Sequence, residues 1–214
     1  MKKFAPLCLA MAALFASAAQ AAGPLQVVEE YEFSFANSTE WMTTFDVPLY
    51  SGSDPLAEVM ITLVGNATSS VDATATTGDD VDILLGEVGA LITATSGLVG
   101  LSIDALPEGT FAPPTVNVPG NSTVMLDDIV GDDTDMDTFT GSPAVDPFVG
   151  VGTFPVDISA IGTLSTTVSG GNVDISQATE AGASLIVQYK TMVPEPSTMM
   201  ISLLGLAGFA ARRR

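Results

Sequence analysis

The chain has no histidine and a single cysteine, and between residues 22 and 196 it has a single basic residue. Each lack removes a class of chemistry. Without histidine there is no His-based catalytic triad and no imidazole to act as base or metal ligand. Cys8 lies close to the N-terminus, so the remainder of the chain offers no thiolate and no disulfide, and the usual zinc sites are excluded. Aromatics are few: Trp41 is the one tryptophan and there are three tyrosines. Glycoside cleavage needs a defined pair of carboxylates. Here acids are spread along the whole chain and no pair stands out, so no catalytic residue is assigned and the chain is read as a non-enzyme. The missing positive charge also bounds the partners. Lys2, Lys3, Arg212, Arg213 and Arg214 sit at the two ends, which leaves only Lys190 against all 25 acidic residues, a formal charge of −24 over residues 22–196. Such a surface repels nucleic acid and anionic lipid and attracts cations. Lys190 itself is expected to be a solvent-facing sheet residue.

What is present is concentrated at the ends. Lys2 and Lys3 precede an apolar stretch over 4–16, and Ala19-Gln20-Ala21 is a small-x-small cleavage site. This is the build of a secretory signal peptide, 1–21, cleaved after Ala21 so that Ala22 begins the mature protein. At the other end Pro194-Glu195-Pro196 is stiff and extended, because each proline fixes its own φ and restricts the residue before it. An uncharged run of 13 residues, 199–211, follows, then Arg212-Arg213-Arg214. As a helix the run would be about 20 Å long at roughly 1.5 Å per residue, short for a hydrocarbon core of roughly 30 Å. It suits a transient or thinned-membrane anchor, with the arginines as a cytoplasmic stop.

The order of these pieces, VPEPSTMMISLLGLAGFAARRR over 193–214, resembles the PEP-CTERM sorting signal of Gram-negative bacteria. The resemblance implies recognition and processing by an exosortase, an integral-membrane cysteine protease. It also implies export by the general secretion machinery, transient anchoring in the inner membrane, and delivery to the cell surface or the extracellular polymer matrix.

Residues 22–192 read as one β-rich domain. Period-two alternation marks 27–36, where Tyr31, Phe33 and Phe35 share a face, and 41–47, where Trp41, Thr43 and Phe45 do. Further short strands are expected at 57–64, 81–85, 90–95, 98–103, 148–158, 161–169, 173–176 and 183–191. Glycines separate some of them, and the small hydroxylated stretch 66–77 reads as an edge or loop. Four prolines over 107–119 forbid a central strand there. No stretch has helical period or caps, so the fold class is all-β, an antiparallel β-sandwich. It is flanked by the signal-peptide helix and a short C-terminal transmembrane helix. The acidic stretch 127–141 reads as a turn-forming loop. Asp133, Asp135 and Asp137 alternate in it, so carboxylates gathered on a turn could chelate Ca²⁺ weakly. A solvated acidic loop is the alternative, and the helix-loop-helix calcium pattern is absent: Thr138 and Ala144 stand where it requires Gly and Glu.

The strand segments WMTTFDVPLY, AEVMITLVGNATSSVDA, FVGVGTFPVDISAIGTLSTTVSGG and SLIVQYKT resemble the choice-of-anchor E domain, a β-rich extracellular family that precedes such anchors. The segment over 50–56 departs from that family's Leu-Gly-Thr-Leu turn. The resemblance supplies no catalytic residues. Two functions follow: a non-enzymatic surface or matrix protein, or a module that binds Ca²⁺ or an extracellular polysaccharide.

Overall fold

The computed structural model describes residues 23–111 and 114–193. Two units separate: residues 27–190, and a terminal unit whose described residues are 23–26 and 191–193. The signal-peptide and C-terminal helices expected above lie outside the described residues. Among the described residues no helix is long and apolar enough to cross a membrane, and a 3-10 turn at Asp146–Phe148 is the one helical element.

The fold is all-β. Its strands are β1 (Leu25–Ser38), β2 (Trp41–Pro48), β3 (Leu56–Ala75), β4 (Val81–Ser96) and β5 (Leu101–Ala105), followed by β6 (Glu108–Thr110), β7 (Thr115–Val118), β8 (Thr123–Thr140), β9 (Thr153–Ser169) and β10 (Val173–Met192). They form a four-stranded sheet in the order β1-β10-β3-β8 and a six-stranded sheet in the order β2-β9-β4-β5, with β6 and β7 also paired to β4. The ladders of β2 with β9, of β3 with β8, and of β4 with β5, β6, β7 and β9 are antiparallel; one isolated parallel bridge joins Tyr50 and Val149. Buried residues of both sheets enter a shared cluster, with Ile61, Leu63 and Leu185 from one and Ile92, Phe154 and Ile158 from the other. Two sheets that face each other in this way are what the expected sandwich requires.

The strands are longer than the alternation indicates. Segments 81–85 and 90–95 form one strand, β4. Segments 173–176 and 183–191 are both part of β10, and 66–75 continues β3 in the interior of its sheet. At roughly 3.3 Å per residue, β3 and β10 each run about 66 Å. The glycines and small residues that look like breaks are instead a narrow waist. Above it lies the larger core, and below it a second cluster built on Val71, Ile83, Val88, Phe111 and Val118. At the level between them the strands present Ser69, Gly89, Gly131, Gly162 and Thr179. The Ser69 hydroxyl bonds that of Thr179 at 2.8 Å, and both side chains are buried. Gln177 reaches into the gap, donating to the carbonyl of Thr163 at 2.9 Å and to the Thr179 hydroxyl at 2.6 Å. A buried polar layer is stable only when its members satisfy one another, and these do.

One side of the core is closed by aromatics, as the pattern of the first two strands predicts. Phe33 stacks on Phe45 with centroids 5.3 Å apart, and Phe35 meets Trp41 edge-on at 4.9 Å. The Trp41 indole N–H donates to the carbonyl of Ala181 at 3.1 Å. Tyr189 is fully buried, and its hydroxyl donates to the carbonyl of Pro48 at 2.7 Å.

Candidate functional site: the acidic edge and the exit to the C-terminal motif

The acidic stretch is a strand, which corrects the loop expected from its composition. Asp127 to Asp137 lie on β8, the edge strand of the four-stranded sheet. The composition misleads because β8 takes its order from its neighbour: almost its whole length pairs with β3, from Thr140 opposite Glu58 to Thr123 opposite Thr74. The pairing also fixes which way the acids face. Asp135 lies opposite Leu63 and Asp137 opposite Ile61, both fully buried, so the aspartates share the core-facing side of the sheet at its rim. Asp133 and Asp137 are half-buried and Asp135 is exposed.

This placement decides what the three carboxylates can do together. On a strand, alternate residues are about 6.6 Å apart and Asp133 is about 13 Å from Asp137. Ca²⁺ holds its oxygens at roughly 2.3–2.6 Å, so one ion cannot collect all three. Among the described residues no group of three or more acids is arranged to hold a metal ion. The carboxylates have backbone partners instead. Asp133 accepts from the amide of Leu106 at 2.7 Å, tying β8 to the segment that enters β6. Asp135 and Asp137 accept from the amides of the residues that follow them, Met136 and Thr138, each at 2.8 Å. A strand edge with free amides is a template for another strand, and inward-pointing charge is one of the ways proteins guard against it.

Alternation alone does not reveal the bulge in β8. The register slips between Ser69 and Val71 of β3, where Asp127 and Asp128 together oppose Ser70, and Asp128 takes a left-handed φ of 58°. Adjacent acids of a residue type that tolerates this conformation are the only sequence trace of it. A shallow cleft of about 670 Å³ opens here, with Asp127, Asp128, Ser70, Thr68 and Glu180 among its lining residues. It is walled by hydroxyls and carboxylates, and among the described residues that line it there is no aromatic side chain on which a sugar ring could stack.

Lys190 differs from its expected solvent-facing state. Its ammonium pairs with Glu58 at 2.7 Å and lies 3.7 Å from the Met60 sulfur, with both charged side chains 16% exposed. It is the one ion pair among the described residues. The three tyrosines all have phenol pKa values raised above the ordinary range. Burial is the largest cause for each; Glu29 adds to it at Tyr31, Asp54 at Tyr50, and Tyr31 at Tyr189.

The processing residues expected from the sequence, Ala21, Pro194, Glu195, Pro196, Arg212, Arg213 and Arg214, lie outside the described residues. The approach to them is described. β10 stays in the sheet through Met192, and the amide of Val193 donates to the carbonyl of Pro24 at 3.2 Å. The stretch after the expected signal cleavage site is thus bonded to the residue before Pro194.

Residues 193–214 match the PEP-CTERM protein-sorting motif. No curated protein matches the chain. Among solved structures the chain is similar to the STIV MCP at 10% identity and a TM-score of 0.26, over 76% of this chain and 48% of that one. It is similar to the infectious bursal disease virus VP2 subviral particle at 10% identity and a TM-score of 0.25, over 80% and 43%. For Sacbrood virus of honeybee the values are 9% and 0.20, over 81% and 75%. The chain spans less than half the length of the first two, and likenesses at these TM-scores carry no argument.

Proposed function

We propose that this is an exported, non-enzymatic protein of the cell surface or extracellular polymer matrix, sorted through its C-terminal motif and processed there by an exosortase. One observation carries the reading: residues 193–214 match a protein-sorting motif as a unit, with the proline triplet, apolar run and arginine tail in order. The chemistry of the pieces supports it. The arginines each oppose passage across the membrane centre by a few kcal/mol. They hold the tail inside while the proline triplet waits at the outer face, extended as a protease cleft requires. The β-rich unit between the two signals is the cargo, and a domain of the choice-of-anchor E type is the finer assignment for it. Its long paired strands, with one ion pair among the described residues, suit a passive structural role. The acidic surface would face a matrix rich in cations or neutral polymer.

The test uses the full chain in a producing cell, followed by the mass of its C-terminus. Replacing Pro194 and Pro196 by Ala should leave the protein in the inner membrane with its tail attached. Replacing Arg212, Arg213 and Arg214 by Ser should let the tail slip through and leave the protein unprocessed and mislocated. If the proline variant appears outside the cell, trimmed like the wild type, the triplet is a linker and the sorting reading is wrong.

A further inference from the structure

We propose that the amino-terminal stretch of the mature chain clamps the approach to the sorting motif, so that processing must first unpair the end of β10. The inference rests on the sorting function proposed above and adds its regulation. Three observations carry it. β1 and β10 are neighbours in one sheet, and β10 remains a strand to Met192. The ladder continues one residue further, where the Val193 amide donates to the Pro24 carbonyl at 3.2 Å. The pair is held by that single bond, because Pro24 has no amide to return it.

The first residue of the matched motif, Val193, is therefore itself the last paired residue, with no linker before it. A protease that takes an extended substrate pairs with its backbone on both sides of the scissile bond. Here the residues on the amino side, Thr191 to Val193, are already committed to a sheet. One residue spans at most about 3.6 Å, so the folded strands stand within a few ångströms of Pro194. The enzyme must displace β1 from the strand end or work on the rare frayed state. The clamp also senses the other end of the chain, since Pro24 lies three residues after the expected cleavage site at Ala21. Only a chain whose β1 has folded onto β10 carries the clamp, so folding and processing compete for the same backbone.

The experiment follows tail removal from the full chain by pulse-chase in the producing cell. Inserting Gly-Ser-Gly-Ser between Val193 and Pro194 leaves every described residue in place and frees the amino side of the motif. It should speed processing about fivefold, the factor for one net hydrogen bond of about 1 kcal/mol. A second variant works in the opposite direction. A hydrogen-bonded antiparallel pair places its Cα atoms about 5.5 Å apart, within disulfide reach. Pro24→Cys with Val193→Cys should therefore slow processing under oxidising conditions and recover on reduction. Unchanged rates in both variants overturn the clamp. If Pro194→Ala with Pro196→Ala still blocks processing in the same cells, the sorting reading survives that result; if it does not, the sorting reading fails separately.

Discussion

Gly131→Ala tests the waist of the molecule most sharply. Gly131 lies in β8 opposite Ala67, and its α-carbon faces the backbone of the segment entering β6. A methyl group there would sit 2.5 Å from the carbonyl carbon of Glu108, 2.6 Å from its nitrogen and 2.7 Å from the carbonyl carbon of Pro107. Carbon atoms rest at roughly 3.5–4.0 Å, so one strand must retreat by about 1 Å. The obstacles are backbone atoms, and no rotamer change relieves them. Overpacking of this kind costs about 1–3 kcal/mol. β6 is the element that yields, because only three residue pairs hold it to β4. Its movement would stretch the bond from the Thr163 hydroxyl to the Glu108 carboxylate, now 3.0 Å, past hydrogen-bonding range. That adds about 1 kcal/mol. The sum, about 2–4 kcal/mol, corresponds to a fall in Tm of about 4–16 °C for a domain of this size. Gly97→Ala is the control, since a methyl group there meets nothing within 4 Å, and a surface change should stay within about 0.5 kcal/mol. Thermal melts followed by circular dichroism compare the two. Equal midpoints for Gly131→Ala and Gly97→Ala would refute the close approach of β8 to β6.

Three more outcomes are expected. All three tyrosines have raised pKa values, so the unfolded chain releases phenolic protons at a lower pH than the folded one. Their contribution to stability is complete below about pH 10, the unfolded value, and is lost as pH rises above it; ultraviolet titration of the folded domain should show the phenols ionising at higher pH than in the unfolded chain, with Tyr189 shifted furthest, and identical titrations of the folded and unfolded chain would contradict it. Trp41→Phe strands the buried carbonyl of Ala181 and should lower the urea midpoint by the equivalent of about 1–3 kcal/mol at unchanged slope, whereas an unchanged midpoint would mean the indole bond contributes nothing. Asp135→Val with Asp137→Val frees the amides of Met136 and Thr138 on an edge strand and should raise the mass seen by light scattering as concentration increases; a variant that scatters like the wild type would show that these acids do not protect the edge.

The local alternation of residues was enough to determine the class of structure and the faces of its first two strands. Tyr31, Phe33, Phe35 and Trp41 point inward as period two requires, because the pleat allows an aromatic run no other burial. The C-terminal motif was equally plain, since a sorting motif is a short contiguous segment. Strand length and topology were not legible. The chain passes back and forth between the two sheets, so β8 finds its partner in β3 and β10 lies between β1 and β3. Such pairing depends on contacts far apart in sequence, and no local pattern encodes it. Gly89 reads as a break between strands and Gly131 as part of a turn. Both lie inside strands, where the facing backbone comes too close for a larger residue, a fact that exists only once both sheets are in place. The same holds for the aspartates. Their spacing was readable, but whether Asp133, Asp135 and Asp137 gather on a turn or spread along an edge was decided by β3, whose 20 residues supply the partner that keeps β8 extended.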